Sequence, residues 1–256
     1  MELNNRVAVV TGGASGLGRA SVEAFVKAGA RVAIFDMNEE AGRELAAKLG
    51  ESVIFCPVNI SEESSIVSAI GEVVTAFGAI HICVNCAGRG GGATKTLSRK
   101  GPFPMDLFRD VININLVGTF NMITLVAEKM AENEVNDKGE RGVIINTSSI
   151  AAYEGQRGQV AYAASKGALV SLTLPVARDL AYYGIRIVTI APGLCETPLL
   201  GGLPDEVKEG LAKDVQFPKR LAEPDEFASM VEEIVSNAYI NGETIRLDGG
   251  LRMGPG

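Results

Sequence analysis

The sequence of 256 residues predicts an α/β fold of Rossmann type, a doubly wound parallel sheet of seven strands within a single domain. Short runs rich in β-branched residues alternate along the chain with longer runs whose apolar residues recur at helical spacing. This alternation is typical of a parallel sheet covered by helices on both faces. A glycine-rich turn directly after the first run is the turn with which Rossmann-type units begin. With 46% hydrophobic residues, the chain is long enough to bury one full core.

Each predicted strand is a β-branched, apolar run such as Val7 to Val10, and each predicted helix shows apolar residues at every third or fourth position. The expected order of the strands across the sheet is 3-2-1-4-5-6-7. Strands are predicted over residues 6–12, 31–36, 52–58, 81–88, 141–149, 185–193 and 243–250, and helices over residues 16–28, 39–49, 62–77, 106–131, 160–183 and 224–235.

Two stretches interrupt the alternation, and both are longer than ordinary connections in a compact domain. Residues 89–104 are rich in glycine and basic residues and are predicted to form an insertion. Loops of this length are usually functional or disordered, and residues 199–221 are predicted to form a substrate lid. We therefore expect one catalytic domain over residues 1–256, whose lid carries the apolar side chains Leu199, Leu200, Leu203, Leu211 and Phe217.

The turn from Thr11 to Gly18 lies between the first predicted strand and the first predicted helix. Its glycines permit backbone conformations that a Cβ would forbid, so that a pyrophosphate can rest on the free N–H groups and positive end of the helix. An ordinary strand-to-helix turn is the alternative, but the strand before it, the helix after it and an acidic residue downstream favour dinucleotide binding. The candidate cofactor-binding residues of the turn are Gly12, Ser15, Gly16, Leu17 and Gly18.

The acidic residue downstream is Asp36, at the end of the second predicted strand. A carboxylate at this place can accept hydrogen bonds from both ribose hydroxyls and repels a 2′-phosphate, which favours NAD over NADP as the cofactor. Met37 and Asn38 follow and supply no arginine that would reverse the preference. The alternative role for Asp36 is that of a turn aspartate before the next helix.

Tyr162 and Lys166 lie four residues apart on a predicted helix, which places their side chains on one face, one turn apart. An unperturbed tyrosine has a pKa of about 10, and a nearby cation can lower that pKa enough for acid/base chemistry at neutral pH. The spacing alone is common by chance. Ser149 adds weight because it ends the fifth predicted strand, where ligands of open α/β sheets bind. There Ser149 would hold a substrate oxygen while Tyr162 passes a proton, and a simple turn serine is the alternative.

With these residues in place, the whole chain resembles the short-chain dehydrogenase/reductase family. The resemblance implies a nicotinamide-dependent oxidoreductase with Tyr162 as the acid/base and Ser149 as the positioner of the carbonyl. It also implies that Lys166 binds the ribose and tunes the pKa of the phenol, and that Asn115 holds a proton-relay water. The motifs that carry the resemblance are TGGASGLG (11–18), NCAG (85–88), NLVG (115–118), Ser149, YAASK (162–166) and PGLCET (192–197).

The same resemblance implies the remaining cofactor contacts. Thr197 would contact the nicotinamide carboxamide, while Asn85 and Gly88 would stabilise the central sheet and pass beside the adenine ribose. The family usually has an aspartate facing the adenine amino group where this chain has Asn59, whose amide oxygen can still accept that hydrogen bond. Further cofactor-binding residues at these motifs are Ile60, Ala87 and Pro192.

Three longer segments, residues 142–169, 186–200 and 241–255, resemble one subgroup more specifically, the type 2 3-hydroxyacyl-CoA dehydrogenases, also called type 10 17β-hydroxysteroid dehydrogenases. The basic insertion after NCAG matches that subgroup in position and kind. The resemblance implies NAD-dependent oxidation of the 3-hydroxyl of a short or branched acyl-CoA, within fatty acid metabolism and in a homotetramer. A dehydrogenase of steroids or other secondary alcohols is an open alternative, and so is a non-catalytic dinucleotide-binding protein, although an intact Ser149, Tyr162 and Lys166 speak against the latter.

Two basic clusters can receive the phosphates of a CoA substrate by local positive potential, or can be solvated loop faces. The first cluster lies in the insertion and the second in and after the predicted lid. Their members are Lys95, Arg99 and Lys100, and Lys208, Lys213, Lys219 and Arg220.

The formal net charge of -7, from 24 basic and 31 acidic residues, opposes binding to nucleic acid and to anionic membranes. No leading apolar segment precedes the first predicted strand, and no apolar stretch approaches the roughly 20 residues that span a bilayer. We therefore expect a cytoplasmic protein without a membrane partner. Cys83 and Cys86 have the spacing of a redox motif but lie in an apolar run, which favours buried thiols over a disulfide or a bound metal.

Overall fold

The computed structural model describes residues 1–197 and 205–256, and within them the seven predicted strands form one parallel sheet. The strands in chain order are β1 (Val7–Thr11), β2 (Arg31–Asp36), β3 (Val53–Pro57), β4 (Ile82–Asn85), β5 (Leu97–Ser98), β6 (Gly101–Pro102), β7 (Gly142–Thr147), β8 (Ile185–Pro192) and β9 (Thr244–Leu247). The order across the sheet is β3-β2-β1-β4-β7-β8-β9. This confirms the predicted order, because β5 and β6 pair only with each other, as an antiparallel hairpin in the insertion.

Helices connect the strands on both faces of the sheet. They are α1 (Gly16–Lys27), α2 (Glu39–Leu49), α3 (Glu63–Phe77), α4 (Met105–Ile112), α5 (Thr119–Ala131), α6 (Ala151–Glu154), α7 (Val160–Leu180), α8 (Asp205–Ala212) and α9 (Pro224–Ser236). A π-helical segment, Asn113–Gly118, joins α4 to α5, so the single helix predicted over residues 106–131 is three consecutive helical segments. Such π turns are frequent at functional sites, and this one carries Asn115.

Strands β1, β7 and β8 are buried on both faces, and apolar residues make up most of their length. Successive side chains of a strand point to opposite faces, so that Val9 belongs to one core cluster and Val10 to the other. The first cluster lies under α3, α5 and α7, and the second lies under α1, α2 and α9. A central sheet held from both faces gives the strand ends fixed relative positions.

A row of polar side chains crosses the carboxyl half of the sheet. The register pairs Thr11 with Asn85, Asn85 with Asn146, and Asn146 with Thr189. The Asn85 amide donates to Asn146 Oδ1 at 2.9 Å, and the Thr189 hydroxyl lies 2.6 Å from that of Thr173 on α7. These buried hydrogen bonds fix β4 to β7 and β8 to α7, below the loops that leave the sheet.

Two helical stretches, Met105–Ala131 and Val160–Tyr183, are long and apolar enough to cross a membrane by length and composition. This differs from the sequence expectation, which counted only uninterrupted apolar residues. The composition is weak support for a membrane span, because core helices of proteins share it. Here both stretches pack against the sheet through buried side chains such as Met122, Val126 and Val176.

The predicted lid is described only in part. Leu199, Leu200 and Leu203 lie outside the described residues. In the remaining part, Leu211 on α8 is partly buried and Phe217 is 83% exposed.

Candidate active site

The candidate site lies at the carboxyl end of the sheet, where β1, β4, β7 and β8 end side by side. The turn after β1 contacts Ala87 after β4, since a Cβ added to Gly12 would lie 2.9 Å from the backbone nitrogen of Ala87. The loop after β7 is tied to the end of β8 by a 3.0 Å bond from Ile150 N to the carbonyl of Pro192. Four strand ends thus meet at one place, as ligand sites of open α/β sheets require.

The predicted phosphate turn has the geometry of an anion site. Gly12 has a φ of +64°, and a Cβ on Gly18 would overlap the carbonyl oxygen of Gly12. Helix α1 begins at Gly16, and in the described chain the Ser15 side chain makes no capping hydrogen bond to it. The first N–H groups and the positive end of α1 are therefore left for a pyrophosphate.

Asp36 also holds the turn in place. Its Oδ2 accepts a hydrogen bond from Ala14 N at 3.0 Å, and its Oδ1 accepts one from Asn38 N at 2.9 Å. The role of turn aspartate considered from the sequence is thus present in the structure. It does not exclude the ribose, because a carboxylate offers about four acceptor positions and these two bonds fill only half of them.

Asn59 is less open to adenine than the sequence indicated. Its Oδ1 accepts hydrogen bonds from the backbone nitrogen of Ser61 at 3.1 Å and from the Ser61 hydroxyl at 2.7 Å, while its amide group donates to Glu62 at 2.8 Å. An amide oxygen has two lone pairs, and both are in use. A hydrogen bond from adenine to this oxygen therefore requires the Ser61 hydroxyl to turn away. The neighbouring Ile60 is buried against Gly118 of the π-helical segment.

Asn115 fastens the start of the insertion to the helix that carries Tyr162. Its Oδ1 accepts from Arg89 N at 2.8 Å, and its amide group donates to Arg89 O at 2.9 Å and to the Ser165 hydroxyl at 3.0 Å. The side chain is fully buried. These bonds engage both the oxygen and the amide group of the Asn115 side chain with the protein. Gly88 lies beside it, because a Cβ there would be 3.1 Å from Asn115 Oδ1 and 3.6 Å from Lys166 Nζ.

Ser149, Tyr162 and Lys166 come together at the end of β7. The Lys166 ammonium donates to the carbonyl of Thr147 at 2.7 Å, and the Ser148 hydroxyl donates to the carbonyl of Lys166 at 2.7 Å. The Lys166 ammonium also lies 5.7 Å from the centroid of the Tyr162 ring. Ser149 is partly buried, and its hydroxyl accepts from Ala151 N at 3.1 Å.

The pKa of Tyr162 does not follow the sequence expectation. Burial raises the pKa of the phenol, and a hydrogen bond with Ser149 opposes that rise without reversing it. The lowering expected from Lys166 is absent from this shift. Burial lowers the pKa of Lys166 to about 8, so a large part of its cationic character is lost above that pH.

Sequence reasoning missed Thr147, Ser148 and Cys195 as parts of the site. Thr147 and Ser148 supply the bonds that fix Lys166. Their position directly before Ser149, at the end of the same predicted strand, could have identified them. Cys195 lies close enough to Tyr162 for a thiolate there to raise the pKa of the phenol. Thr197 lies at the edge of the described residues and is partly buried.

The cysteines are free thiols, as predicted. Burial raises the pKa of Cys86 and of Cys195 to about 11 in each case, so both stay protonated at neutral pH. In residues 1–197 and 205–256, no group of three His, Cys, Asp or Glu side chains is arranged to hold a metal ion.

The two predicted basic clusters differ in the structure. Lys95, Arg99 and Lys100 are exposed on and beside the β5–β6 hairpin. In the second cluster the charge of Arg220 is compensated by a bidentate pair with Glu226, at 2.8 and 2.9 Å. The Lys208 side chain lies outside the described residues.

Comparison with known proteins gives one consistent result. The short chain dehydrogenase family matches residues 6–208. The 3-hydroxyacyl-CoA dehydrogenase type-2 of Drosophila melanogaster is 50% identical over 255 residues, which cover 99% of this chain and 100% of that protein. The crystal structure of 3-hydroxyacyl-CoA dehydrogenase type-2 from Mycobacterium avium superposes with a TM-score of 0.95 at 41% identity, over 98% of each chain. The 3-ketoacyl-(acyl-carrier-protein) reductase of Brucella melitensis complexed with NADH gives a TM-score of 0.85 at 28% identity, over 97% of this chain and 98% of that one.

Gly18 packs so closely against the backbone of Gly12 that a Cβ at Gly18 does not fit without a shift of the turn. We expect Gly18→Ala to weaken NADH binding by about tenfold or more, a loss of about 1.4 kcal/mol, because the added methyl forces the turn open. Fluorescence titration with NADH measures the effect. The matched control is Gly71→Ala, at an exposed position of α3 where no atom lies within 4 Å of the new Cβ. Equal NADH affinity in both variants would show that the dinucleotide does not use this turn.

Proposed function

Because the chain belongs to the short-chain dehydrogenase family, we propose that it is an NAD-dependent 3-hydroxyacyl-CoA dehydrogenase for short or branched acyl chains. Like its family, it is an oxidoreductase that uses a nicotinamide dinucleotide and acts on a small-molecule substrate. The observation that carries the proposed substrate class is the 50% identity, over almost all of both chains, to a relative that bears this name.

We assign the acid/base role to Tyr162. Its raised pKa keeps the phenol protonated in the free protein at neutral pH, which is the form that gives a proton to the oxygen of a 3-keto substrate. Ser149 hydrogen bonds with the phenol, so its hydroxyl is placed to orient the same substrate oxygen. The bound dinucleotide supplies the hydride for reduction or accepts it in oxidation. Oxidation needs the phenolate, which Lys166 stabilises if its ammonium turns from Thr147 O toward the phenol.

The preference for NAD is proposed from Asp36. Its carboxylate stands at the end of β2 and is held beside the glycine turn by Ala14 N. A negative charge there repels the 2′-phosphate that distinguishes NADP.

The exposed β5–β6 hairpin supports a CoA ester as the substrate. Its cations Lys95, Arg99 and Lys100 extend into solvent from a segment whose first residue, Arg89, is fastened to Asn115. Leu97 on the same hairpin is 73% exposed. Positive charge beside an apolar side chain suits the phosphates and the pantetheine arm of CoA.

We propose further that copies of the chain assemble through the outer faces of α5 and α7, as a homotetramer. Apolar side chains are exposed at Phe120 on α5, at Leu174 on α7 and at Val117 in the π-helical segment just before α5. Monomeric proteins rarely expose contiguous apolar patches of large area. A second copy of the chain would cover these side chains, so that no membrane is needed to bury them.

The substrate proposal is tested by initial rates with NADH. We expect acetoacetyl-CoA and a branched 3-ketoacyl-CoA to be reduced faster than a steroid ketone at equal concentration. Tyr162→Phe should lower turnover by roughly 100-fold or more, the usual contribution of a general acid, and leave NADH affinity unchanged. Tyr239→Phe, at a fully exposed tyrosine, is the control. A faster steroid reaction would contradict the substrate class, and full turnover in Tyr162→Phe would remove that residue from the reaction.

Cofactor preference is tested by the ratio of kcat/KM for NADH to that for NADPH. Asp36→Ala should reduce this ratio by roughly tenfold, equivalent to about 1.4 kcal/mol, because the variant no longer repels the 2′-phosphate. The ratio is insensitive to any general loosening of the glycine turn, which affects both cofactors. Glu51→Ala, at an exposed site before β3, should leave it unchanged. A wild-type protein that prefers NADPH contradicts the proposal.

Assembly is tested by sedimentation velocity. The wild-type protein should sediment as a tetramer, and Phe120→Glu should shift the population to smaller species because a charge cannot be buried unpaired at an interface. Val135→Glu places the same charge at an exposed loop residue and should leave the tetramer intact. A monomeric wild-type protein at micromolar concentration rules the assembly out.

A further inference from the structure

The last residues of the chain lie between two parts of the candidate site. Residues 248–256, the 248–256 strap, follow β9. They run past the loop that joins Ser149 to Tyr162, residues 150–161, which we call the serine loop. The Gly254, Pro255 and Gly256 carbonyls accept hydrogen bonds from that loop, from the Gln156 side chain at 3.3 Å, from Arg157 N at 3.0 Å and from the Arg157 guanidinium at 2.7 Å. Residues 254–256 of the strap are thus bonded to the segment that joins the proposed catalytic residues.

Glu154 is the centre of this attachment. It ends α6, between Ser149 and Tyr162 in the chain. Its Oε1 accepts from Arg246 Nη1 at 2.8 Å, and its Oε2 accepts from Arg246 Nη2 at 3.2 Å and from Met253 N at 3.0 Å. One carboxylate therefore joins the serine loop both to β9 and to the strap. Bidentate pairs of this kind fix orientation as well as distance.

Arg246 extends the network into the turn at the start of the strap. Its Nε donates to Asp248 Oδ2 at 2.7 Å and its Nη2 to Leu251 O at 3.0 Å, while its guanidinium lies 5.2 Å from the centroid of the Tyr153 ring. The side chains of Glu154 and Arg246 are only about one-fifth exposed, and that of Asp248 is 8% exposed. Shielding from water strengthens these contacts relative to surface ion pairs.

The other side of the strap holds the residues that follow α8. Gly249 O accepts from Gln216 N at 3.0 Å and from Phe217 N at 3.1 Å. The approach is close, because Gly249 has a φ of +58° and a Cβ there would lie 2.7 Å from the Val215 side chain. Leu251 of the strap packs with Val215 and with Ile150, the residue after Ser149. The strap therefore connects the serine loop to the base of the predicted lid.

From this connection we propose that Glu154 is a positioning residue, which acts through Arg246 and the 248–256 strap to hold the Ser149 loop and residues 215–217 at a fixed separation. Glu154 itself touches no reacting atom. The inference rests on the proposed function for its kinetic consequence, since Ser149 orients the substrate oxygen in that proposal. The dinucleotide turn after β1 lies outside the network and does not depend on it.

The test compares Glu154→Gln with the wild-type protein. Glutamine keeps the size of the side chain but puts an N–H₂ group against the donors of Arg246. We expect kcat with acetoacetyl-CoA to fall by about tenfold or more, because a misplacement of about 1 Å at reacting groups can cost about 100-fold. NADH affinity should stay unchanged. Hydrogen exchange should accelerate in the peptides that cover residues 148–159 and 213–218, and not in β1 to β3.

Two further variants separate positioning from general stability. Glu154→Asp keeps the charge and should recover part of kcat. Arg246→Lys breaks the bidentate pair from the other side and should lower kcat as Glu154→Gln does. It takes the place of Glu154→Gln if that variant folds poorly. Glu39→Gln, in an exposed pair with Arg43 on α2, is the matched control and should change neither kcat nor the hydrogen-exchange rates.

Wild-type kinetics in Glu154→Gln, with faster exchange confined to residues 249–256, would overturn the inference. If the wild-type protein fails to reduce acetoacetyl-CoA, the proposed function is wrong. The exchange rates of the two segments then still decide whether Glu154 couples them.

Discussion

Helix α7 is held on the carboxyl end of β7 by two buried hydrogen bonds, and the geometry of the candidate site depends on them. The Lys166 ammonium donates to Thr147 O, and the Ser148 hydroxyl donates to Lys166 O, both at 2.7 Å. Because these bonds fix Lys166, they also fix Tyr162, which lies one turn earlier on the same helix. Tyr162 is thereby placed beside Ser149, the residue that follows Ser148. Burying an ammonium group is costly unless it is hydrogen bonded, so this helix has few alternative positions on the sheet.

The same burial sets the electrostatics of the site. It raises the pKa of Tyr162 and lowers the pKa of Lys166 to about 8, and both shifts favour neutral side chains. The free protein is thus prepared to donate a proton rather than to accept one. Oxidation of an alcohol requires the phenolate form of Tyr162. The direction of the reaction therefore depends on whether the Lys166 ammonium stabilises that phenolate.

Two rigid attachments surround this centre. On one side, Asp36 holds the glycine turn through Ala14 N, and Asn115 holds the start of the insertion through Arg89. On the other side, Glu154 and Arg246 hold the 248–256 strap against the serine loop. The sheet supplies a fixed base for both, since the Asn85–Asn146 bond ties β4 to β7 below them. The glycine turn and the serine loop are therefore supported separately on one sheet.

The sequence by itself determined the order of strands and helices, the glycine turn and the shared face of Tyr162 and Lys166, because these depend on local periodicity and on spacing along one element. It did not determine where the Lys166 ammonium points, that Ser61 occupies the oxygen of Asn59, that residues 113–118 form a π-helical segment, or that Glu154 binds Arg246 and Met253. Those features depend on hydrogen-bond direction, on burial, and on contacts between segments more than 90 residues apart in the case of Glu154. Only the folded sheet brings such segments together, and so only the tertiary structure decided them.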